Sequence, residues 1–259
     1  MMFRMRLAGL VVEVHSLYEE VRTLCKAYLL PDGDRTAPDI TVVITPADIE
    51  REREATRAEE RKTGIAADYP PETLESTAVH RKTAEAMAAF GILVMHGAVI
   101  ATDRLGYMIT APSGTGKTTR LSLWADHIPG TVIVNGDKPM IRVSDDDVLV
   151  FGTPWCGKEG WNTDISVPLR AILLLERADD KEDEVRRISF GEAFPALLRQ
   201  SFLPANASAR VEALRLLRKL GAKIPVYRFR SRPTEDSVRL AWETARSDSA
   251  FPVVRRTKE

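Results

Sequence analysis

The chain has 259 residues, of which 44% are hydrophobic, and its 37 lysines and arginines are matched by 37 aspartates and glutamates. That balance leaves no global charge with which to hold nucleic acid or an anionic membrane, and the length admits one large α/β domain or a nucleotide domain with a smaller companion. Two cysteines in unrelated contexts, Cys25 and Cys156, and four scattered histidines, His15, His80, His96 and His127, exclude a structural zinc spacing and a disulfide framework.

The opening residues read as a small α/β unit. A strand is expected over residues 7–14, a helix over 17–29 and a second strand over 40–45, between Pro38 and Pro46. Arg4, Arg6 and Glu13 interrupt the first apolar run, which is too short for a secretion signal or an anchor. Residues 48–62 carry dense charge of both signs and read as a solvated helix with pairs three or four apart. Tyr69-Pro70-Pro71 then breaks the chain, which places the division between a unit at 1–70 and a larger domain at 71–259.

Past the break, residues 72–90 have helical composition and 92–101 read as one buried strand, too short for the roughly 20 apolar residues of a spanning helix. The chain therefore reads as soluble and cytoplasmic. A turn follows, then a strand at 107–110, and then Ala111-Pro112-Ser113-Gly114-Thr115-Gly116-Lys117-Thr118-Thr119 at the head of an expected helix. Further on, a strand at 131–134 ends at Asn135-Gly136-Asp137. A hairpin joins 141–143 to 148–151 across Asp145, Asp146 and Asp147, which are ordinary turn residues. Residues 169–175 make an apolar strand, 192–200 and 209–220 helices, 226–230 a late strand and 235–246 a last helix. Hairpins mixed with alternating strands and helices predict a mixed sheet.

The segment from Ala111 to Thr119 carries the strongest chemistry. Gly114 and Gly116 let the backbone aim several N–H groups at one anion, and the following helix N-terminus adds its positive end. Ser113, Gly114, Thr115, Gly116, Lys117, Thr118 and Thr119 are the expected phosphate-binding residues, with Lys117 on an exposed loop reaching the β- and γ-phosphates and Thr118 offering its hydroxyl to Mg²⁺. ATP and Mg²⁺ are the expected cofactors. Asp137, at the end of a neighbouring strand, is placed to hold the metal or steer the nucleophile.

Met95-His96-Gly97-Ala98, the glycine-rich loop, Asn135-Gly136-Asp137-Lys138-Pro139 and Gly152-Thr153-Pro154-Trp155-Cys156-Gly157-Lys158, in that order, resemble bacterial HPr kinase/phosphorylase-related proteins. These share a P-loop fold with ATP-dependent phosphoenolpyruvate carboxykinases. The resemblance implies an α/β, mixed-sheet nucleotide core of that type after a small N-terminal α/β unit. It also implies an ATP-dependent kinase acting on a hydroxyl of a protein, a peptide or a small metabolite. His96 matches a histidine near the reacting phosphate, where its alternative is a satisfied core histidine, and Asp137 matches the second member of an acidic pair. The first member is replaced by Gly136, so Glu159 becomes a candidate metal ligand beside Thr118 and Asp137, and Lys158 a candidate charge neutraliser.

Arg228, Arg230 and Arg232 alternate with Tyr227 and Phe229, which reads as a charged edge strand. Trp155 and Trp161 bracket the glycine-rich loop around Gly157, with core packing as their simpler role. Two rival functions stand beside the kinase: an ATP-binding regulatory module without transfer, and a carboxykinase-type lyase, for which the chain is short. The sequence leaves homo-oligomerisation open.

Overall fold

The computed structural model describes residues 1–64, 68–179 and 182–248. Its first sheet has three strands in the order β1 (Met2–Leu7), β2 (Leu10–His15), β3 (Ile40–Val43). The single strand expected at 7–14 is instead a hairpin. Ala8 and Gly9 turn with φ of 50° and 87°, and β1 and β2 pair antiparallel from Met2 opposite His15 to Leu7 opposite Leu10. The helix expected at 17–29 shrinks to α1 (Glu20–Leu24) and a 3₁₀ turn over Lys26–Tyr28.

The charged segment forms α2 (Pro46–Thr63), opened by a capping box between Thr45 and Asp48 with proline in its first turn, and closed by Gly64 in the left-handed region. The chain passes from α2 to α3 (Pro71–Met87) across the expected division at residue 70. α3 packs into the same apolar cluster as the three-stranded sheet, a cluster that also takes in β4 (Ile92–Val94) and Trp155. The fully buried Glu75 on α3 accepts hydrogen bonds from the N–H groups of Leu17 and Tyr18, which ties the first unit to this helix.

The second sheet is mixed and has nine strands among the described residues. Its main path runs β4, β8 (Met140–Val143), β9 (Val148–Phe151), β10 (Ser166–Arg177), β6 (Leu105–Thr110), β5 (Ala98–Thr102), β7 (Val132–Asn135). The twelve-residue β10 pairs antiparallel with β9 near its start and parallel with β6 and β12 (Val226–Ser231) farther on, so one long strand joins the two halves of a curled sheet. A strand not foreseen in the sequence, β11 (Glu184–Ile188), lies outside β12. This corrects the edge-strand reading of Arg228, Arg230 and Arg232: β12 is flanked by β10 and β11. Its arginines, and Arg232 just beyond it, answer neighbouring carboxylates, Arg228 with Glu176 and Glu192, Arg230 with Glu184 and Arg232 with Asp183.

One face of this sheet buries α5 (Phe190–Gln200) and α6 (Ala207–Lys223), and the other buries α4 (Lys117–His127) and α7 (Glu235–Ser247). The strand expected over 92–101 is broken. β4 pairs with β8 while β5 pairs with β6 and β7, so the chain crosses between the two halves of the sheet at Met95–Gly97. Gly97 is required at that crossing, because a Cβ there would lie 2.5 Å from the Met108 side chain and 3.0 Å from the Ile109 carbonyl oxygen. No helix among the described residues is long and apolar enough to cross a membrane.

Candidate functional site

β6, β10 and β12 run parallel, and β5 is antiparallel to both β6 and β7, so β6, β7, β10 and β12 all end at one edge of the sheet. Open α/β sheets hold ligands at such carboxyl edges. The glycine-rich loop leaves β6 there and enters α4 at Lys117, with φ of 77° at Gly114 and 103° at Gly116, values that only glycine adopts without strain. Ser113, Thr118 and Thr119 are exposed, and Thr115 and Gly116 half-buried.

Lys117 departs from the exposed-loop expectation. Its side chain is only 8% exposed, and the ammonium donates to the carbonyls of Ala111 (2.9 Å) and Pro112 (3.2 Å). Burial pushes it below the usual lysine range, and the Asp137 charge opposes that shift. Two arginines not foreseen in the sequence flank the same loop. Arg177, at the end of β10, donates to the carbonyls of Gly114 and Thr115. Arg120, 4% exposed, donates to the Ser231 hydroxyl and carbonyl, and one of its terminal nitrogens lies where a side chain at Gly116 would need to be. Burial lowers the Arg120 pKa and Arg177 adds to this, against Asp183. Thr115, Gly116, Thr119 and these arginines line an open cleft of about 320 Å³ together with Asp179, Ser231, Arg232 and Pro233.

Across β5 stands the second half of the site. The buried Asn135 shapes its turn: its amide oxygen accepts from the N–H groups of Asp137 (2.9 Å) and Lys138 (2.7 Å), and its amide nitrogen donates to the Thr153 carbonyl (3.0 Å). Asp137 Oδ1 lies 3.3 Å from His96 Nε2, and Lys138 Nζ lies 3.8 Å from Asp137 Oδ2. Burial raises the Asp137 pKa, but the hydrogen bond with His96 and the charges of Lys138, His96 and Lys117 outweigh it, so the carboxyl sits below its usual range. His96 is thus neither an isolated core histidine nor a free one. Its other ring nitrogen lies 2.7 Å from Gln200 Oε1.

The loop after Trp155 leans on this turn. Gly136 N–H donates to the Trp161 carbonyl (2.9 Å) and Lys138 N–H to the Trp155 carbonyl (3.1 Å). A Cβ at position 136 would lie 2.6 Å from the Cys156 carbonyl oxygen, so in this backbone the first member of an acidic pair has no room. A Cβ at Gly157 would lie 3.5 Å from a Glu159 carboxylate oxygen and 3.4 Å from Asp137 Cβ, so both side chains border the Gly157 backbone. Lys158 instead projects into solvent at 91% side-chain exposure, 4.0 Å from Glu159. Trp155 packs in the core with its indole N–H toward Ser76, Trp161 is partly buried, and both cysteines are buried and unbridged. Asp145, Asp146 and Asp147 occupy the β8–β9 hairpin turn.

Thr118, Asp137 and Glu159 suit a hard cation through oxygen. Among the described residues no group of three or more His, Cys, Asp or Glu side chains could hold a metal by itself. A hydroxyl with one or two carboxylates suits Mg²⁺ that arrives on phosphate oxygens and keeps several waters. Of the residues singled out in the sequence, the loop from Ser113 to Thr119, His96, Asp137 and Glu159 fall at this edge, and Lys158, beside Glu159, is exposed. Asn135, Lys138, Arg120, Arg177 and Gln200 join them unforeseen.

No family model matches the chain, and no curated protein matches it. Among solved structures, the Hpr(Ser) kinase/phosphatase from Coxiella burnetii aligns at 10% identity and a TM-score of 0.36, over 61% of this chain and 99% of that one. A likeness of that size carries no argument about chemistry, which rests on the residues.

Proposed function

We propose that this chain is an ATP-dependent kinase that passes the γ-phosphate of ATP·Mg²⁺ to a hydroxyl of a protein, a peptide or a small metabolite. One observation carries the reading: at one sheet edge, a glycine-rich loop opening a helix with Lys117 and Thr118 faces a carboxylate–imidazole pair, with Lys117 and Asp137 close enough to shift each other's ionisation. The loop N–H groups and the start of α4 take the phosphates. Lys117 exchanges its two carbonyl partners for phosphate oxygens, which are stronger acceptors for a buried ammonium. The arginine-lined cleft beside Thr115 and Thr119 offers room for the nucleoside.

Mg²⁺, when bound through Thr118 and Asp137 with Glu159 nearby, supplies charge neutralisation on the phosphates. The acceptor oxygen attacks the γ-phosphorus as the bridging P–O bond to the β-phosphate breaks and ADP leaves. The hydroxyl proton passes to the Asp137–His96 pair. Lys117 and Lys138 supply positive charge close to the migrating group without needing Lys158.

Heat denaturation tests the binding half: ATP with Mg²⁺ should raise the melting temperature and NADH should leave it unchanged, because a ligand selective for the native state stabilises it by linkage. A shift with NADH alone would refute the reading. The second reading, an ATP-binding regulatory module, is favoured by one observation, the Cys156 carbonyl that excludes a second acidic residue at position 136.

A further inference from the structure

We propose that Tyr28, in the small N-terminal unit, is a positioning residue of this site: its hydroxyl pins the neck of the loop at 156–162, which carries Glu159, and so holds that loop against the Asp137 turn. The inference rests on the reading of Asp137 and Glu159 as carboxylates that would hold Mg²⁺ in a kinase. Tyr28 ends a 3₁₀ turn and is only 2% exposed. Its hydroxyl donates to the amide oxygen of the half-buried Asn162 at 3.0 Å, across 134 positions of chain. The amide nitrogen turns back into the loop, 2.9 Å from Cys156 Sγ and 3.5 Å from the Gly160 carbonyl oxygen. That carbonyl only accepts, so the nitrogen faces it and the amide oxygen is left for Tyr28. Asn162 thereby ties the two ends of the loop together, and Tyr28 anchors the tie to the first sheet.

Both partners are held from behind. Leu29 and Leu30, next to Tyr28, join β1 through the Met5–Leu29 bridge and the Leu30 N–H to the Arg4 carbonyl at 2.9 Å. On the other side the Asn162 backbone bridges Asn135, and the Trp161 carbonyl accepts from the Gly136 N–H at 2.9 Å. A shift of the neck is therefore a shift against the turn that presents Asp137. The loop has little of its own to resist one. Gly157 and Gly160 sit at φ of 83° and 69°, and one turn bond joins the Gly160 N–H to the Gly157 carbonyl at 3.3 Å. Glu75 and Ser76 on α3 give a second link, from Leu17 and Tyr18 to the Trp155 indole, but it holds the start of the loop and leaves the neck to Tyr28.

The test compares the full chain with Tyr28→Phe, which keeps the buried ring and removes only the hydroxyl. Without nucleotide or metal, amide hydrogen exchange at Gly136, Lys138 and Gly160, whose N–H groups bond to or within this loop, should be up to roughly 10-fold faster, as for the loss of one hydrogen bond. Exchange in β6 and α4 should not change. In turnover, Tyr28→Phe should lower kcat on the order of 10-fold, the low end for groups that hold a metal's ligands from behind, and raise the Mg²⁺ concentration that gives half the maximal rate. The ATP KM at saturating Mg²⁺ should stay within about twofold. Asn162→Ala should reproduce these changes, and the double variant should add little to them. Unchanged exchange at the three amides in Tyr28→Phe overturns the proposal. So does faster exchange with kcat and Mg²⁺ dependence unaltered, which would leave a bond that serves stability alone. If wild type itself has no turnover the kinase reading fails and the positioning role in transfer with it, while the exchange measurement still decides whether Tyr28 holds the loop.

Discussion

The two halves of the site are built differently. The glycine-rich loop is nine consecutive residues, Ala111 to Thr119, whose shape follows from two left-handed glycines and a helix start. The corner around Asp137 is assembled from chain segments far apart, through the Gly97 N–H to Asp137, the His96 N–H to Gln200, the Gly136 N–H to Trp161 and the Lys138 N–H to Trp155. In the proposed reading, holding the phosphates would fall mostly to this contiguous loop, with Arg177 bracing it from β10, whereas aligning a proton acceptor with them would fall to the packed sheet. Damage to the loop should weaken the ligand, and damage to the corner should slow the chemistry while the ligand stays bound.

The largest expected effect is on the corner. Asp137→Asn keeps the size of the side chain but removes proton acceptance and charge, so phosphoryl transfer should fall on the order of 10²–10⁴-fold while calorimetric ATP affinity stays near wild type. Lys117→Ala should cut turnover on the order of 10²–10³-fold, as for removal of a donor to developing charge, and in contrast should also weaken ATP binding. Circular dichroism on the same sample should show a folded chain. Equal losses of affinity in both variants would erase the distinction between the halves.

Gly136→Asp sharpens it in another way. If the corner is limited by packing, the added side chain meets the Cys156 carbonyl and lowers stability by about 1–3 kcal/mol, read as a drop in Tm, instead of improving turnover. Higher turnover at unchanged Tm would show that the position tolerates the missing acid.

The smallest effect is expected at Asp48 in α2, which belongs to neither half. Burial raises its pKa, but the Lys82 ammonium at 2.8 Å and the Thr45 hydroxyl and N–H bring it to about 2. A carboxyl depressed in the folded state stabilises above its unfolded value near 3.8 and loses that stabilisation as pH falls toward 2. Asp48→Asn should cost roughly 1–2 kcal/mol at neutral pH and flatten the acid limb of the unfolding curve, with turnover unchanged. An acid limb like that of wild type would remove Asp48 from this account.

How much could be read in the sequence follows the same division. The loop was legible because its glycines, lysine and threonine are contiguous, and Asp137 because an Asn-Gly-Asp turn closes an apolar strand. Gln200, Arg177 and Arg120 left no local trace: each acts on a residue or carbonyl that only the sheet brings near. The break at Met95–Gly97 was hidden because residues 92–95 and 98–101 are buried on both sides of it. Their composition therefore runs on unchanged while the pairing partner changes. Charged Glu184–Ile188 concealed β11, and without it β12 read as an edge.

The central claim, that loop and corner together move a phosphoryl group, is tested most directly by incubating the wild-type chain with Mg²⁺ and ATP labelled at the γ-phosphate. Serine peptides and small hydroxyl metabolites serve as acceptors, and the label and the ADP formed are followed. Label on an acceptor in equal amount to ADP, lost in Asp137→Asn, is the expected result. Tight ATP binding with no labelled acceptor and no ADP would contradict the claim and leave a nucleotide-binding regulatory module.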